Sequence, residues 1–401
     1  MTHSTSAMRL RLLSAAAIAV ALGLSAGTAA AQTRASTPGS NSFLAKIPKP
    51  GDVDVTEMER RWGGVAHSGV TVAGPETDQA AINAPTVEAG YKVPRHADGT
   101  PDLTGVWSNA SNTTLRRPGN AKNLVMTDEQ ALKAREDNPQ NIRQATDDRQ
   151  KTSDGLLTGK DLAAGRGYNS FWIDPGNNYA LVKGTWRTSW IVDPPNGQMP
   201  LKPGAMRPRR VGTGYDNPEE RNLNERCLIL GTSGPPIGNY LYNNNTRIMQ
   251  SPNAVVIESE MIHDARIIPL VKTAADAAAK HRPAALDQWM GDSVGWYEGD
   301  TLVVETTNMM RGGGSAPMSP TGKIIERFTR YNDKQVFYEF EVNDPNMYTQ
   351  VWKGQMSLNA SPALYEYACH EGNYAMHGIL AAGRKNDREG IKNDSSTDGT
   401  E

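Results

Sequence analysis

His263, Asp264 and Arg266 lie close together near the turn of a pattern that reads as a hairpin. An imidazole exchanges a proton near neutral pH without a large shift. A neighbouring carboxylate orients it, and a guanidinium holds an anion. The set suits proton transfer on a small charged molecule, with His263 as base and Arg266 as anion clamp; the competing reading is a polar hairpin end. Asp292, Glu326, His370 and Glu371 are the other candidate catalytic groups, as acids or orienting carboxylates. Glu258 with Glu260, and Glu339 with Glu341, fall at strand spacing on one face each, where a solvated acidic surface is the simpler account. Trp289, Trp296, Tyr338 and Trp352 are candidate ligand-binding aromatics, core packing being the alternative for any one of them.

Other chemistries lack their signatures. His370-Glu371 with His377 does not have H-E-x-x-H spacing, so no metal site is expected. Arg311 precedes Gly312-Gly313-Gly314, but the Lys and Ser/Thr of a phosphate loop are absent. There is no G-x-S-x-G and no dinucleotide fingerprint, so no cofactor is expected.

The elements that must carry these residues read as strands. Asp102 to Trp107 is a first strand burying Leu103 or Trp107, and Thr127 to Gln130 is a capping box opening a helix through about Glu136. Further strands are read at Ser170 to Ile173 and Ser189 to Val192, each ending in a Pro/Gly turn. Ala254 to Ile257 pairs with Ala265 to Leu270. Val294 to Glu305 forms a hairpin around Glu298-Gly299-Asp300, and Lys323 to Tyr331 pairs with Gln335 to Val342. An Ala-rich helix spans Thr273 to Lys280, and the polar stretch 137–166 is a loop or holds a short helix. Without a strand–helix–strand rhythm, the fold class is mainly β: an antiparallel β-barrel resembling lipocalin-like proteins, with few short helices.

Arg9 and Arg11 precede an apolar run from Leu12 to Leu24, and Ala29-Ala30-Ala31 precedes Gln32. This is the layout of a secretory signal peptide, so residues 1–31 are expected to be removed and the protein to reside in the periplasm or be secreted, with no stable membrane span afterwards. Residues 32–97 read as an irregular arm, 98–382 as the β-rich barrel domain and 383–401 as a disordered tail. Lys+Arg 42 against Asp+Glu 44 offers no basic field for nucleic acid. Cys227 and Cys369, the only cysteines, form either a disulfide in an oxidising compartment or two buried thiols.

Asp98 to Trp107 (DGTPDLTGVW), Arg226-Cys227-Leu228, Gln250 with Val255-Val256-Ile257, Val294 to Thr306 (VGWYEGDTLVVET), Glu326-Arg327-Phe328, Asp344-Pro345 with Tyr348 and Trp352, and Glu366 to Asn373 (EYACHEGN) together resemble a large group of exported bacterial proteins of unsettled function. The resemblance covers residues 98 to 375 and implies the disulfide, since both cysteines lie in its motifs; it implies no reaction. This chain has Asp292 where that group often has His. The expectation is a periplasmic enzyme that modifies an aromatic or carbohydrate derivative by elimination, hydration or hydrolysis. The alternatives are a non-catalytic small-molecule binding protein and an envelope-associated interaction module.

Overall fold

The computed structural model describes residues 68–142, 175–205, 214–215, 217–230, 233–310 and 315–391. The expected signal peptide, the strand at 170–173, the stretch 143–166 and the Gly-rich loop at 312–314 lie outside the described residues.

Among the described residues, nine strands form the continuous path of one sheet, every neighbouring pair antiparallel. In chain order they are β1 (Gly105–Ser108), β6 (Asn245–Ser251), β7 (Ala254–Ser259), β8 (Ala265–Pro269), β9 (Asp292–Glu298), β10 (Thr301–Thr307), β11 (Lys323–Asn332), β12 (Gln335–Asn343) and β13 (Trp352–Ala360). Their spatial order is β8-β7-β6-β1-β13-β12-β11-β10-β9. β5 (Ile191–Asp193) adds to β13, and β2 (Val125–Met126), β4 (Thr185–Arg187) and β3 (Ala180–Val182) make a separate small sheet. The long sheet curls until β8 and β9 meet, so the fold is an antiparallel β-barrel, as the alternation predicts.

Parity governs this closure. In an antiparallel sheet of nine strands the first and last run parallel, and β8 and β9 do so, joined at the parallel bridge between Leu270 and Gly295. Parallel neighbours cannot be linked by a tight turn. The chain between them instead carries helix α3 (Ala274–Lys280), capped by Thr273 and Asp276 and packed through Ala277 against Val294, Trp296 and Val303 outside the barrel.

The lumen is filled rather than hollow. Val336, Tyr338, Phe340 and Val342 of β12 are wholly buried, while Glu339 pairs with Gln355 and Glu341 with Lys353 on the outer face. Phe328, Tyr338, Phe340, Trp352 and Tyr348 follow one another with ring centroids 4.8–5.7 Å apart. Phe340 has its place because β13 carries Gly354: a Cβ there would stand 2.1 Å from the ring.

The helices at Pro75–Asn83, Asp128–Glu136 and Tyr374–Glu389 lie outside the strand pattern. Within the expected irregular arm, α1 (Pro75–Asn83) buries only Ala81 and is held largely by polar groups. Lys183 Nζ donates to the carbonyls of Ile82 and Ala84 at 2.7 and 2.8 Å, Arg187 donates to Ala81, and the Asp78 carboxylate accepts from the amides of Leu124 and Val125. α2 (Asp128–Glu136) opens on the capping box that the sequence spells, Thr127 and Gln130 bonding each other's backbone amides. α4 (Tyr374–Glu389) runs on through residues 383–389, where composition alone suggests a disordered tail. Asn373 caps its start, Gly390 in the left-handed region ends it, and Gly383 packs against Tyr215. The disulfide Cys227–Cys369 is formed, with Cα atoms 5.7 Å apart. Among the described residues no helix is long and apolar enough to cross a membrane.

Burial and the neighbouring Arg187 guanidinium push the Lys183 ammonium down from 10.5 to about 8. Between those values the unfolded chain binds the extra proton, so this group makes stability rise with pH above about 8. Urea midpoints measured from about pH 7 to about pH 10 should show this alkaline gain in the native protein and lack it in Lys183→Met; equal slopes would refute the assignment.

Candidate active site at the barrel seam

β8 and β9 touch at Leu270 and Gly295, where the Val271 amide donates to the Gly295 carbonyl at 2.8 Å. A Cβ at residue 295 would lie 3.0 Å from Ile268, so glycine permits this approach. Towards Ala265 and Asp292 the strands part around a cleft of about 750 Å³, within the size range of small-molecule sites. Arg266, Ile267 and Pro269 line one side. The other is lined by Lys280, Arg282, Asp287, Trp289, Asp292 and Ser293. The Ser259 amide donates to the Asp264 carbonyl, so strand alternation turns the peptide groups of Ala265 and Ile267 towards the seam. Arg266 and Ser293 belong to the inward-facing sets of their strands, yet both border the cleft: it reaches through the seam to the polar part of the lumen.

There Arg266 meets Glu326 on β11. Arg266 Nη1 and Nη2 donate to Glu326 Oε2 and Oε1 at 2.6 and 3.1 Å, Tyr338 Oη donates to Oε1 at 2.7 Å, and the Ile237 amide donates to Tyr338 Oη at 2.9 Å. The side chains of Arg266 and Glu326 are 3% and 0% exposed. Burial would lower the Arg266 pKa, but the Glu326 carboxylate overrides it and holds the guanidinium above its ordinary value. Burial and Glu326 together push the Tyr338 phenol well up. Arg266 Nε, also buried, has no hydrogen-bond partner among the described residues. Glu326 therefore acts here as an orienting group that fixes the guanidinium.

On the outer side, Asp292 Oδ2 lies 2.8 Å from His281 Nδ1 and accepts from the Arg282 amide at 2.8 Å. His281 Nε2 stands 3.2 Å from Glu305 Oε1 without hydrogen-bond alignment, and Lys323 holds the other Glu305 oxygen at 2.8 Å. His281 is the site residue that sequence reasoning missed. It ends α3 eleven positions before Asp292, and its one signal is its place in the run Lys280-His281-Arg282.

The rim is built by the reversal from β7 to β8. Ile262 and His263 take positive φ values of 61° and 46°, sparsely populated for non-glycine residues. Burial of Ile262 and the bonds from Asn243 and Asn245 to the buried Glu260 carboxylate hold the turn in place. The turn sets Asp264 in the cleft, and burial pushes its carboxyl pKa up while nearby His263 and His370 pull it back. The His263 and His370 rings are 6.0 Å apart, edge to face. His263 Nδ1 lies 2.8 Å from the Tyr367 carbonyl, and the disulfide fixes the His370 segment beside Leu228 of the cleft.

Thus Arg266 pairs with Glu326 in the lumen while Arg266 and Asp292 border the same cleft, His263 and His370 sit at the rim beside Asp264, and Glu371 is exposed. Of the four aromatics, Trp289 lines the cleft. Trp296 packs under α3 and donates to Glu298, Tyr338 is committed to Glu326, and Trp352 is core. Among the described residues no three acidic, His or Cys side chains are grouped to hold a metal ion. No protein-family model, curated protein or solved structure matches the chain.

Breaking the ion pair from one side strands a buried charge. Arg266→Met should cost about 3–5 kcal/mol in chemical denaturation, and adding Glu326→Gln should recover part of the loss. A double variant at least as unstable as the single one would contradict this reading.

Proposed function

We propose that the protein is an exported enzyme that modifies a small organic molecule in the seam cleft by acid–base chemistry. The observation that carries this reading is Asp264: a carboxyl group whose pKa burial raises, set in a cleft of ligand size beside two histidines. Elimination, hydration and hydrolysis share a proton transfer to or from a substrate oxygen or carbon, and a carboxyl group tuned upward is suited to give that proton. The exposed His263 and His370 exchange it with solvent. Arg266, held rigid by Glu326, faces developing negative charge, and Trp289 packs on the substrate's ring. Export rests on the composition of residues 1–31 and on the resemblance to exported proteins. Where that group often has His, this chain has Asp292 bonded to His281, so the imidazole comes from α3.

A second reading, a binding protein without turnover, draws on Glu326: with three hydrogen bonds accepted, it is not a free base. Incubating the mature protein with lignin-type aromatics and sugar derivatives, followed by mass spectrometry, separates the two. The enzyme reading predicts a changed product and a loss of about 100-fold or more in Asp264→Asn. Because the acid form is the active one, the rate should fall as pH rises through the raised Asp264 pKa, and that limb should vanish in the variant. Stabilising ligands returned unchanged, or an Asp264→Asn enzyme at full rate, would favour the binder or another proton donor.

A further inference from the structure

The charges around the cleft are unequally committed. Asp292 is engaged by His281 and by the Arg282 amide, with Arg282 Nε a further 3.7 Å away, and Glu326 is saturated inside the lumen. Asp264 is biased by burial towards its neutral form. Asp287 is an exposed carboxylate on the outer side. Against these stand exposed Lys280 and Arg282 at the mouth, on the same side as Trp289, and, just beneath the lining, the Arg266 guanidinium, whose buried Nε–H has no partner among the described residues. A buried N–H donor without an acceptor is costly; Arg117, Arg187 and Arg330 also leave Nε unpaired among the described residues, and of these arginines Arg266 is the one that borders the cleft. This one belongs to a guanidinium that Glu326 already holds in place.

We infer that the cleft selects organic anions: a planar ring bearing a carboxylate, the ring against Trp289 and the carboxylate between Arg266 Nε and the Lys280–Arg282 mouth. This names the substrate class of the site proposed above and rests on that site being the ligand cleft. It does not require turnover. A carboxylate supplies the acceptor that Arg266 Nε lacks, and the charge-assisted bond so formed is stronger than one to a neutral carbonyl.

The test is isothermal titration of the mature protein with sodium cinnamate and with cinnamamide, which has the same skeleton without the charge. Wild type should bind cinnamate at least about tenfold more tightly, and added salt should narrow the gap. Lys280→Ala with Arg282→Ala, both at exposed positions, should remove much of that preference without shifting the melting temperature. Arg266→Lys keeps a cation for Glu326 but loses the Nε–H, and should weaken cinnamate more than cinnamamide. The surface pair decides the matter if Arg266→Lys fails to fold. No cinnamate binding, equal binding of the two compounds, or a preference that survives these variants overturns the inference. Cinnamate bound with the predicted preference but no substrate of any kind turned over would sink the enzyme reading alone. Turnover of neutral substrates without a preference for anions would sink the inference alone.

Discussion

An odd number of antiparallel strands cannot close on itself with an antiparallel ladder. In this barrel β8 and β9 arrive parallel and join at one bridge, Leu270 to Gly295. That constraint has two structural consequences. The connection between the strands must be long, which accounts for α3 and the segment holding Lys280 to Gly291 on the outside of the seam. The seam itself stays open beyond the bridge, where Pro269 has no N–H to offer. The cleft is thus what remains when a nine-strand barrel closes imperfectly, and its lining residues come from both margins of the gap.

The second organising feature is the ion pair inside the lumen. Arg266 and Glu326 are sixty residues apart and on opposite sides of the seam, yet they pair through two hydrogen bonds in a space otherwise filled by Val304, Phe328, Phe340 and their neighbours. Such a pair offers little net stability over apolar packing, but the loss of one partner is expensive. Its value here is geometric. A guanidinium pinned by two bonds presents its remaining Nε–H in a fixed direction, and Tyr338 with the Ile237 amide keeps Glu326 from swinging away.

Much of the barrel was legible because its hairpins carry both signals that matter, period-two alternation and turn residues. β9 with β10 and β11 with β12 show this plainly, as does the Thr127–Gln130 box. β13 was not legible: β3 packs against it and Gln355 bonds the Ile82 carbonyl of α1, so Gly354 to Leu358 are all buried and the alternation disappears. β6 was obscured for the opposite reason, since Thr246 and Gln250 share its inward face with Ile248. At the site, residue types were readable and distances were not. Nothing local says that Arg266 reaches Glu326, that Trp296 packs under α3 while Trp289 faces the cleft, or that His281 finds Asp292; these follow from the register around the sheet and from the crossover that parity imposes.

The central claim is that the open seam is the ligand site. The most direct measurement is a crystal structure of the protein soaked with sodium cinnamate. The account predicts the ring beside Trp289 and the carboxylate within hydrogen-bond reach of Arg266 Nε, with the β8–β9 gap open around it. Cinnamate lodged elsewhere, such as the recess lined by Tyr179 and Thr188, or a seam found closed by a continuous ladder, would contradict it.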